Sequence, residues 1–158
     1  MKISENGLIM IQGFEAFKPK PYLCPAGVPT IGYGTTVYPS GVKVRISDKP
    51  ITLEQAQTYL KYDCIGCENQ ILILIQAALN QNQFDALVSF CYNVGVFGFG
   101  ASTLRKKINK NAFAPDIRTE FMRWINATDP VSGKKVPLKG LFRRREKEAN
   151  LYFTPIIS

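Results

Sequence analysis

The sequence contains no histidine. That absence removes Cys/His nucleophilic pairs and the usual zinc fingers, whose ligand sets draw on histidine. Cysteine is sparse, at Cys24, Cys64, Cys67 and Cys91, and only Cys64 and Cys67 share a C-x-x-C spacing. Reduced, partly buried thiols in a cytosolic product account for these residues more simply than a redox or metal role for Cys64 and Cys67. Long apolar runs are missing too: the longest, Ile71 to Leu79, is interrupted by Gln76. It falls far short of the roughly 20 residues that a membrane span requires. Near the start, Lys2 and Glu5 precede an amphipathic stretch in place of the apolar core and small-residue cleavage site of a secretory signal. The expectation is therefore a chain that accumulates in a cytoplasm and needs another agent to let it through if its target lies beyond the membrane.

Acidic residues are few, 12 against 20 Lys and Arg, for a net charge of +8. Such an excess attracts polyanions, whether nucleic acid, anionic lipid or acidic wall polymers, and charge alone does not choose among them. Solubility is the plainer use of the same charge. With 158 residues, 46% of them hydrophobic and 11% aromatic, the chain can bury a core as one domain without covalent staples. No stretch combines low hydrophobicity with high charge, so disorder is expected only in the tail Thr154-Pro155-Ile156-Ile157-Ser158.

Ser4 can cap a first helix carrying Leu8, Ile11 and Phe14 at helical spacing, ending close to Glu15. Between Pro19 and Pro50 the prolines, together with Gly27, Gly32, Gly34 and Gly41, punctuate short stretches such as Thr30-Ile31 and Val42-Lys43-Val44. That pattern predicts a small β-rich lobe with tight turns. Thr52-Leu53-Glu54-Gln55 has the capping-box pattern and opens a long helical segment, with a break or bend expected near Gly66. Phe84, Leu87, Val88 and Cys91 form a buried stripe on a helix that Gly95 terminates, and Ser102 caps a short helix ending near Asn109. Asp116 is expected to cap a helix carrying Ile117, Phe121, Trp124 and Ile125; Asp129 to Gly133 makes a turn, and a basic last helix follows Gly140. No linker or repeat divides the chain, so the two parts read as lobes of one domain, with the cleft between them as the default place for a site.

Glu54, Asp63, Glu68 and Glu120 fall on the expected polar faces of helices and read as solvated. Glu15 differs, because Phe14, Ala16 and Phe17 surround it. An apolar wall disfavours the charged form of a carboxyl, which is the property a general acid needs near neutrality.

Gly13-Phe14-Glu15, then Cys24, then Thr30-Ile31-Gly32-Tyr33-Gly34, resembles the catalytic signature of the phage lysozymes, glycoside hydrolase family 24. Later blocks resemble that family in the same order: Phe84 to Phe90, Tyr92-Asn93-Val94-Gly95, Ser102-Thr103-Leu104, Glu120 to Trp124, and Gly140 to Arg145. The resemblance spans roughly residues 4 to 153, and the ordered blocks are far more specific than any one of them. It implies an enzyme that cuts the β-1,4 bond between N-acetylmuramic acid and N-acetylglucosamine in peptidoglycan, with Glu15 protonating the departing oxygen while an oxocarbenium-like centre develops. Thr30 then occupies the position of a threonine whose hydroxyl orients a water. Cys24 occupies a position that is aspartate in one branch of the family and cysteine in another. A carboxylate there supports positive charge or acts as a base toward water, so Cys24 must be a thiolate of depressed pKa or contribute less; Lys18 and Lys20 stand nearby in sequence. Family precedent implies inversion at the anomeric carbon.

Tyr92 and Asn93 match a helix on which an aromatic ring and an amide meet the sugar and its N-acetyl groups, although Tyr92 equally suits a core. Arg143, Arg144 and Arg145 cannot all face one way, since successive helical residues are about 100° apart. One is expected to point toward Glu15 and the others to form a solvated basic face.

The reading that follows is α+β: a lysozyme-like chain with a small β-rich lobe near 17–50 and a larger helical lobe from 51 to 153, closed by the N-terminal helix. It needs no metal and no organic cofactor. It is a monomeric endolysin acting on peptidoglycan glycan strands, with no nucleic acid partner and no stable membrane insertion, dependent on a holin-like membrane-perforating protein. Three other readings compete: a lytic transglycosylase, which also uses one glutamate but leaves a 1,6-anhydro end; a basic nucleic-acid-binding domain, which explains the charge only; and a cationic wall-binding or membrane-permeabilising protein whose lysis survives loss of Glu15.

Overall fold

In the computed structural model, which describes residues 1–157, the chain runs α1 (Glu5–Phe14), β1 (Lys18–Leu23), β2 (Pro29–Gly32), α2 (Leu53–Leu74), α3 (Gln81–Val94), α4 (Val96–Ala101), α5 (Thr103–Lys110), α6 (Ile117–Met122), β3 (Asn126–Thr128), β4 (Lys135–Pro137) and α7 (Lys139–Phe153). It forms two compact units, Leu8–Gly66 and Met1–Gly7 with Cys67–Ser158, so that α1 and α2 each contribute to both. Ser158 of the expected tail lies outside the described residues, while Thr154 is tied to α7 by its hydroxyl, which donates to the Asn150 carbonyl at 2.8 Å.

In the Leu8–Gly66 unit, the β character anticipated between Pro19 and Pro50 reduces to one antiparallel hairpin, β1 with β2, and isolated bridges at Ile31–Thr35 and Val37–Lys43. Prolines at alternate positions of β1 withhold backbone donors, which keeps the ladder short. Ile31, Tyr33, Val44, Ala56 and Leu60 are buried there. Gly32, at a φ of 66°, leaves a Cβ only 3.3 Å from Ala56 and Ile51, so both its conformation and its close approach call for glycine. Thr52 and Gln55 complete the expected capping box of α2, with Gln55 N donating to Thr52 Oγ1 at 3.1 Å and Thr52 N donating to Gln55 Oε1 at 2.9 Å. The anticipated break at Gly66 is absent: α2 continues for 22 residues. A helix interior tolerates glycine at a cost of about 1 kcal/mol, and nothing packs where a Cβ would stand.

The second unit is built around α3. Asn80 caps it in a reciprocal box with Gln83, and every residue from Gln83 to Cys91 is buried, not only the expected stripe. Burial on all sides carries Asp85 and Ser89 inside, and each has partners. Asp85 accepts from Ser4 N at 2.9 Å, from the Ser4 hydroxyl and from Gln81 Nε2 at 2.8 Å. Gly7 is required there, because a Cβ would come within 2.8 Å of the Asp85 side chain. Phe90 anchors an edge-to-face aromatic cluster with Phe121 and Trp124, each ring 5.5 Å away.

Two helix boundaries and three carboxylates differ from expectation. Asp116 does not cap α6: its backbone is already helical and its carboxylate takes a 2.7 Å hydrogen bond from Lys107. The helix stops at Met122, leaving Trp124 and Ile125 beyond it. The expected turn at Asp129 joins β3 to β4 in a hairpin, and Asp129 braces it through Val131 N and Ser132. Glu68 and Glu120 are buried and paired, Glu68 with Lys2 and Ile3 N, Glu120 with Lys107 and Arg123. Asp63 is half-buried and accepts from the Thr35 hydroxyl at 2.6 Å.

Burial raises Asp63 from 3.8 to about 6, with the Thr35 hydrogen bond opposing the shift. The folded pKa exceeds the unfolded one, so the stability tied to its proton is complete below about pH 4 and lost as pH rises through about 6. Asp63→Asn still accepts from Thr35 and cannot ionise. Thermal denaturation at pH 7 should show it more stable than the parent by about 1 kcal/mol after allowing for partial exposure, with the gain gone at pH 4. A variant less stable at both pH values would contradict this assignment.

Candidate active site

Ser4 caps α1 through its hydroxyl, which accepts from Gly7 N at 3.2 Å. The helix ends at Phe14, and Glu15 follows with its N–H still bonded to Ile11 O at 3.0 Å. The last helical hydrogen bond therefore holds the backbone of Glu15, while the chain leaves the helix and turns into β1. Its side chain is half-buried.

The β1–β2 turn is closed by Gly27 N to Cys24 O at 2.8 Å and Cys24 N to Val28 O at 3.1 Å. Gly27 takes the left-handed φ of 76° that this reversal needs. Register then places Thr30 opposite Tyr22, with Cys24 immediately beyond the Leu23–Pro29 pair. Thr30 is only 3% exposed, and its hydroxyl donates to Val28 O at 2.8 Å. Cys24 is partly exposed, and its thiol is held below the ordinary value chiefly by a hydrogen bond with the Val28 backbone, with Ala26 and the Thr30 hydroxyl acting in the same direction. The turn itself favours the thiolate, with no need of charge from Lys18 and Lys20.

Tyr22 stands opposite Thr30 in the hairpin. Its phenol is pushed up by burial first, then by the negative charges of Glu15 and Cys24. Glu15 at the helix exit and Cys24 at the turn therefore both lie within electrostatic reach of the residue paired with Thr30. Sequence reasoning passed over Tyr22; in Lys-Pro-Lys-Pro-Tyr-Leu only strand register could have revealed it.

Tyr92 and Asn93 belong to the other unit, near the end of α3, where Tyr92 is half-buried and Asn93 exposed. Asn93 Oδ1 accepts from Arg145 Nη2, which leaves the amide NH2 as its outward group. Of the three arginines only Arg143 is exposed; Arg144 and Arg145 are both buried, in place of the single inward arginine expected. The reason is Glu148, at 0% exposure, which lies one turn on and takes hydrogen bonds from Arg144 Nε at 3.1 Å and from Arg145 Nη1. Arg145 also donates to Trp124 O at 3.0 Å and stacks over Phe90 at 4.9 Å. Among the described residues no group of three or more Cys, Asp or Glu is arranged to hold a metal ion, and none of the four cysteines takes part in a disulfide.

Because Cys64, Cys67 and Cys91 are buried, iodoacetamide should alkylate Cys24 first, with a pH midpoint below that of a free cysteine. Thr30→Val, which keeps the shape and removes the hydroxyl, should move that midpoint upward. An unchanged midpoint would show that the hydroxyl does not act on the sulfur.

The phage lysozyme family model matches residues 12–148. An endolysin of Acyrthosiphon pisum secondary endosymbiont phage 1 is 40% identical over 96% of this chain and 98% of its own length. Among solved structures, an endolysin from Escherichia coli O157:H7 phage FAHEc1 superposes with a TM-score of 0.86 at 37% identity, covering 97% of this chain and 94% of that one. The muramidase domain of SpmX from Asticaccaulis excentricus gives 0.84 at 32% identity, covering 98% and 99%. A match over most of the chain, carried by full-length relatives and the same α+β lysozyme fold, shows that this chain belongs to the phage lysozyme family.

Proposed function

We propose that the chain is a peptidoglycan hydrolase, an endolysin that cleaves the β-1,4 bond between N-acetylmuramic acid and N-acetylglucosamine. The observation that carries the residue roles is the hairpin that sets Cys24 beside the Tyr22–Thr30 pair, with Glu15 at the helix exit that leads into it. Glu15 delivers its proton to the departing glycosidic oxygen as the C1–O bond breaks. With its single proton directed to Val28 O or to the Cys24 sulfur, the Thr30 oxygen keeps a lone pair that accepts from a water and orients it toward C1. The Cys24 thiolate, favoured by the turn, takes that water's other proton as the new C–O bond forms, and its charge supports the oxocarbenium-like centre meanwhile. Tyr92 and the outward amide of Asn93 bind the sugar and its N-acetyl group.

The net charge of +8 suits the anionic polymers of a wall. Among the described residues no helix is long and apolar enough to cross a membrane. In this reading the chain acts as a monomer that collects in the host cytoplasm and reaches the wall through a holin-like protein.

Turbidity of purified peptidoglycan should fall with the parent chain and not with Glu15→Gln, matched for folding by circular dichroism, the loss being about 100- to 10,000-fold in rate. Equal lysis by both would overturn the role of Glu15. Mass spectrometry of the products separates hydrolysis from transglycosylation: each new end should carry one added water, and 1,6-anhydro ends would make the chain a transglycosylase.

A further inference from the structure

Immediately after Thr30, residues 31–35 form a closed loop: Ile31 N donates to Thr35 O and Thr35 N to Ile31 O, each at 2.9 Å. Inside the Leu8–Gly66 unit this loop has three attachments. The first is covalent, since Ile31, which has no exposure, is the chain neighbour of Thr30. The second is the Tyr33 ring, which meets the ring of Phe17, two residues beyond Glu15, at 5.6 Å between centroids. The third is α2. A Cβ on Gly32 would stand 3.3 Å from Ala56, so the loop backbone lies directly against that helix. Two turns further along α2, Asp63 Oδ2 accepts from the Thr35 hydroxyl at 2.6 Å.

Ala56, Leu60 and Asp63 stand at i, i+4 and i+7 and share one face of α2. Ala56 and Leu60 have no exposure, so Asp63 occupies a place where the helix pattern calls for an apolar side chain. Thr35, only 1% exposed, meets it with a hydroxyl. Two apolar side chains of similar shape would fill the same space at little or no loss of stability. Burial pushes Asp63 up to about 6, so near neutrality the ionised carboxylate works against the fold. What the polar pair supplies in return is direction. A hydrogen bond of 2.6 Å, in the range of a charged acceptor, fixes one position of Thr35 on α2, where dispersion contacts alone are not directional.

We propose that Asp63 is a positioning residue for the hydrolytic site: through Thr35 and the Ile31–Thr35 pair it anchors the loop to α2, and the loop holds Thr30 and the segment leaving Glu15 in one arrangement. The chemistry being positioned rests on the wall-hydrolase reading; the anchor rests on the hydrogen bonds and ring contact of the loop.

The test compares variants that break the Thr35–Asp63 hydrogen bond with variants that keep it. Thr35→Val retains shape and loses the donor, and Asp63→Leu loses the acceptor; Thr35→Ser and Asp63→Asn preserve the contact. Rates are measured on soluble glycan strands at pH 7, well below each Tm and per folded molecule. Thr35→Val and Asp63→Leu should each lower kcat about tenfold with KM within about twofold, because a misplaced group costs rate more than binding. The double variant should lose no more than either single one, since both break one contact. Thr35→Ser and Asp63→Asn should recover most of that loss. Activity would then follow the hydrogen bond and not stability, because Asp63→Asn is expected to be the more stable chain. A second readout needs no catalysis: the pH midpoint for alkylation of Cys24 should rise in Thr35→Val toward that of Thr30→Val, as Thr30 loosens its hold on the sulfur.

Parent rates in Thr35→Val and Asp63→Leu, with only Tm lowered, would make the pair structural and overturn the proposal. So would a loss confined to KM, or losses that multiply in the double variant. If the parent chain does not lyse peptidoglycan, the hydrolase reading fails and the Cys24 midpoint alone judges the anchor, an unmoved midpoint in Thr35→Val counting against it.

Discussion

A carboxylate with no exposure to solvent, Glu148, is the constraint on which much of the larger unit depends. Leaving such a charge unpaired costs several kcal/mol. Here Arg144 and Arg145 approach it from one turn earlier in α7, and the Ser89 hydroxyl reaches it from α3 at 2.7 Å. Arg144 goes on to the Ser89 carbonyl, Arg145 to the Trp124 carbonyl and to Asn93. One buried anion thereby sets the register of α7 on α3, fastens the segment after α6, and orients an amide at the end of α3. The two arginines divide the contacts: Arg144 takes one carboxylate oxygen and the Ser89 carbonyl, Arg145 the other oxygen and the Trp124 carbonyl.

Complete burial of the middle of α3 places the same demand on its other polar side chains. Asp85 is met by the backbone and hydroxyl of Ser4, the residue that also caps α1. A requirement for hydrogen bonds inside the protein thus helps set where α1 begins. At the hairpin the logic is similar on a smaller scale. The turn that reverses the chain supplies the hydrogen bonds that favour the Cys24 thiolate, so the same five residues make the geometry and tune the chemistry.

Local signals were legible from residue order. Ser4, the Thr52–Gln55 pair, Ser102 and Gly95 mark helix ends through groups that act within a few residues, and all four do so in the structure. Asp116 has the same chemistry as a cap, but Lys107, nine residues earlier, competes for its carboxylate, and sequence spacing carries no trace of that contest. Gly66 illustrates the converse: its helix penalty is real but small beside the 22-residue helix that contains it. The candidate site was legible as three motif positions, Glu15, Cys24 and Thr30, while Tyr22, which lies among them, was not.

By itself, then, the sequence determined the helix caps, the turn glycines, the apolar positions that go inside and the motif residues around Glu15, because each depends on neighbours along the chain. Tertiary structure alone decided which charges are buried. Asp63, Glu68, Glu120 and Glu148 look alike as letters on a helix, yet one is pushed to about 6, Glu68 and Glu120 are held by groups from other segments, and Glu148 is held by two arginines of its own helix and a serine of α3. The physical reason is that desolvation and pairing are set by what packs against a group, and those partners lie as few as three residues away or, for Ile3 and Glu68, 65 residues apart.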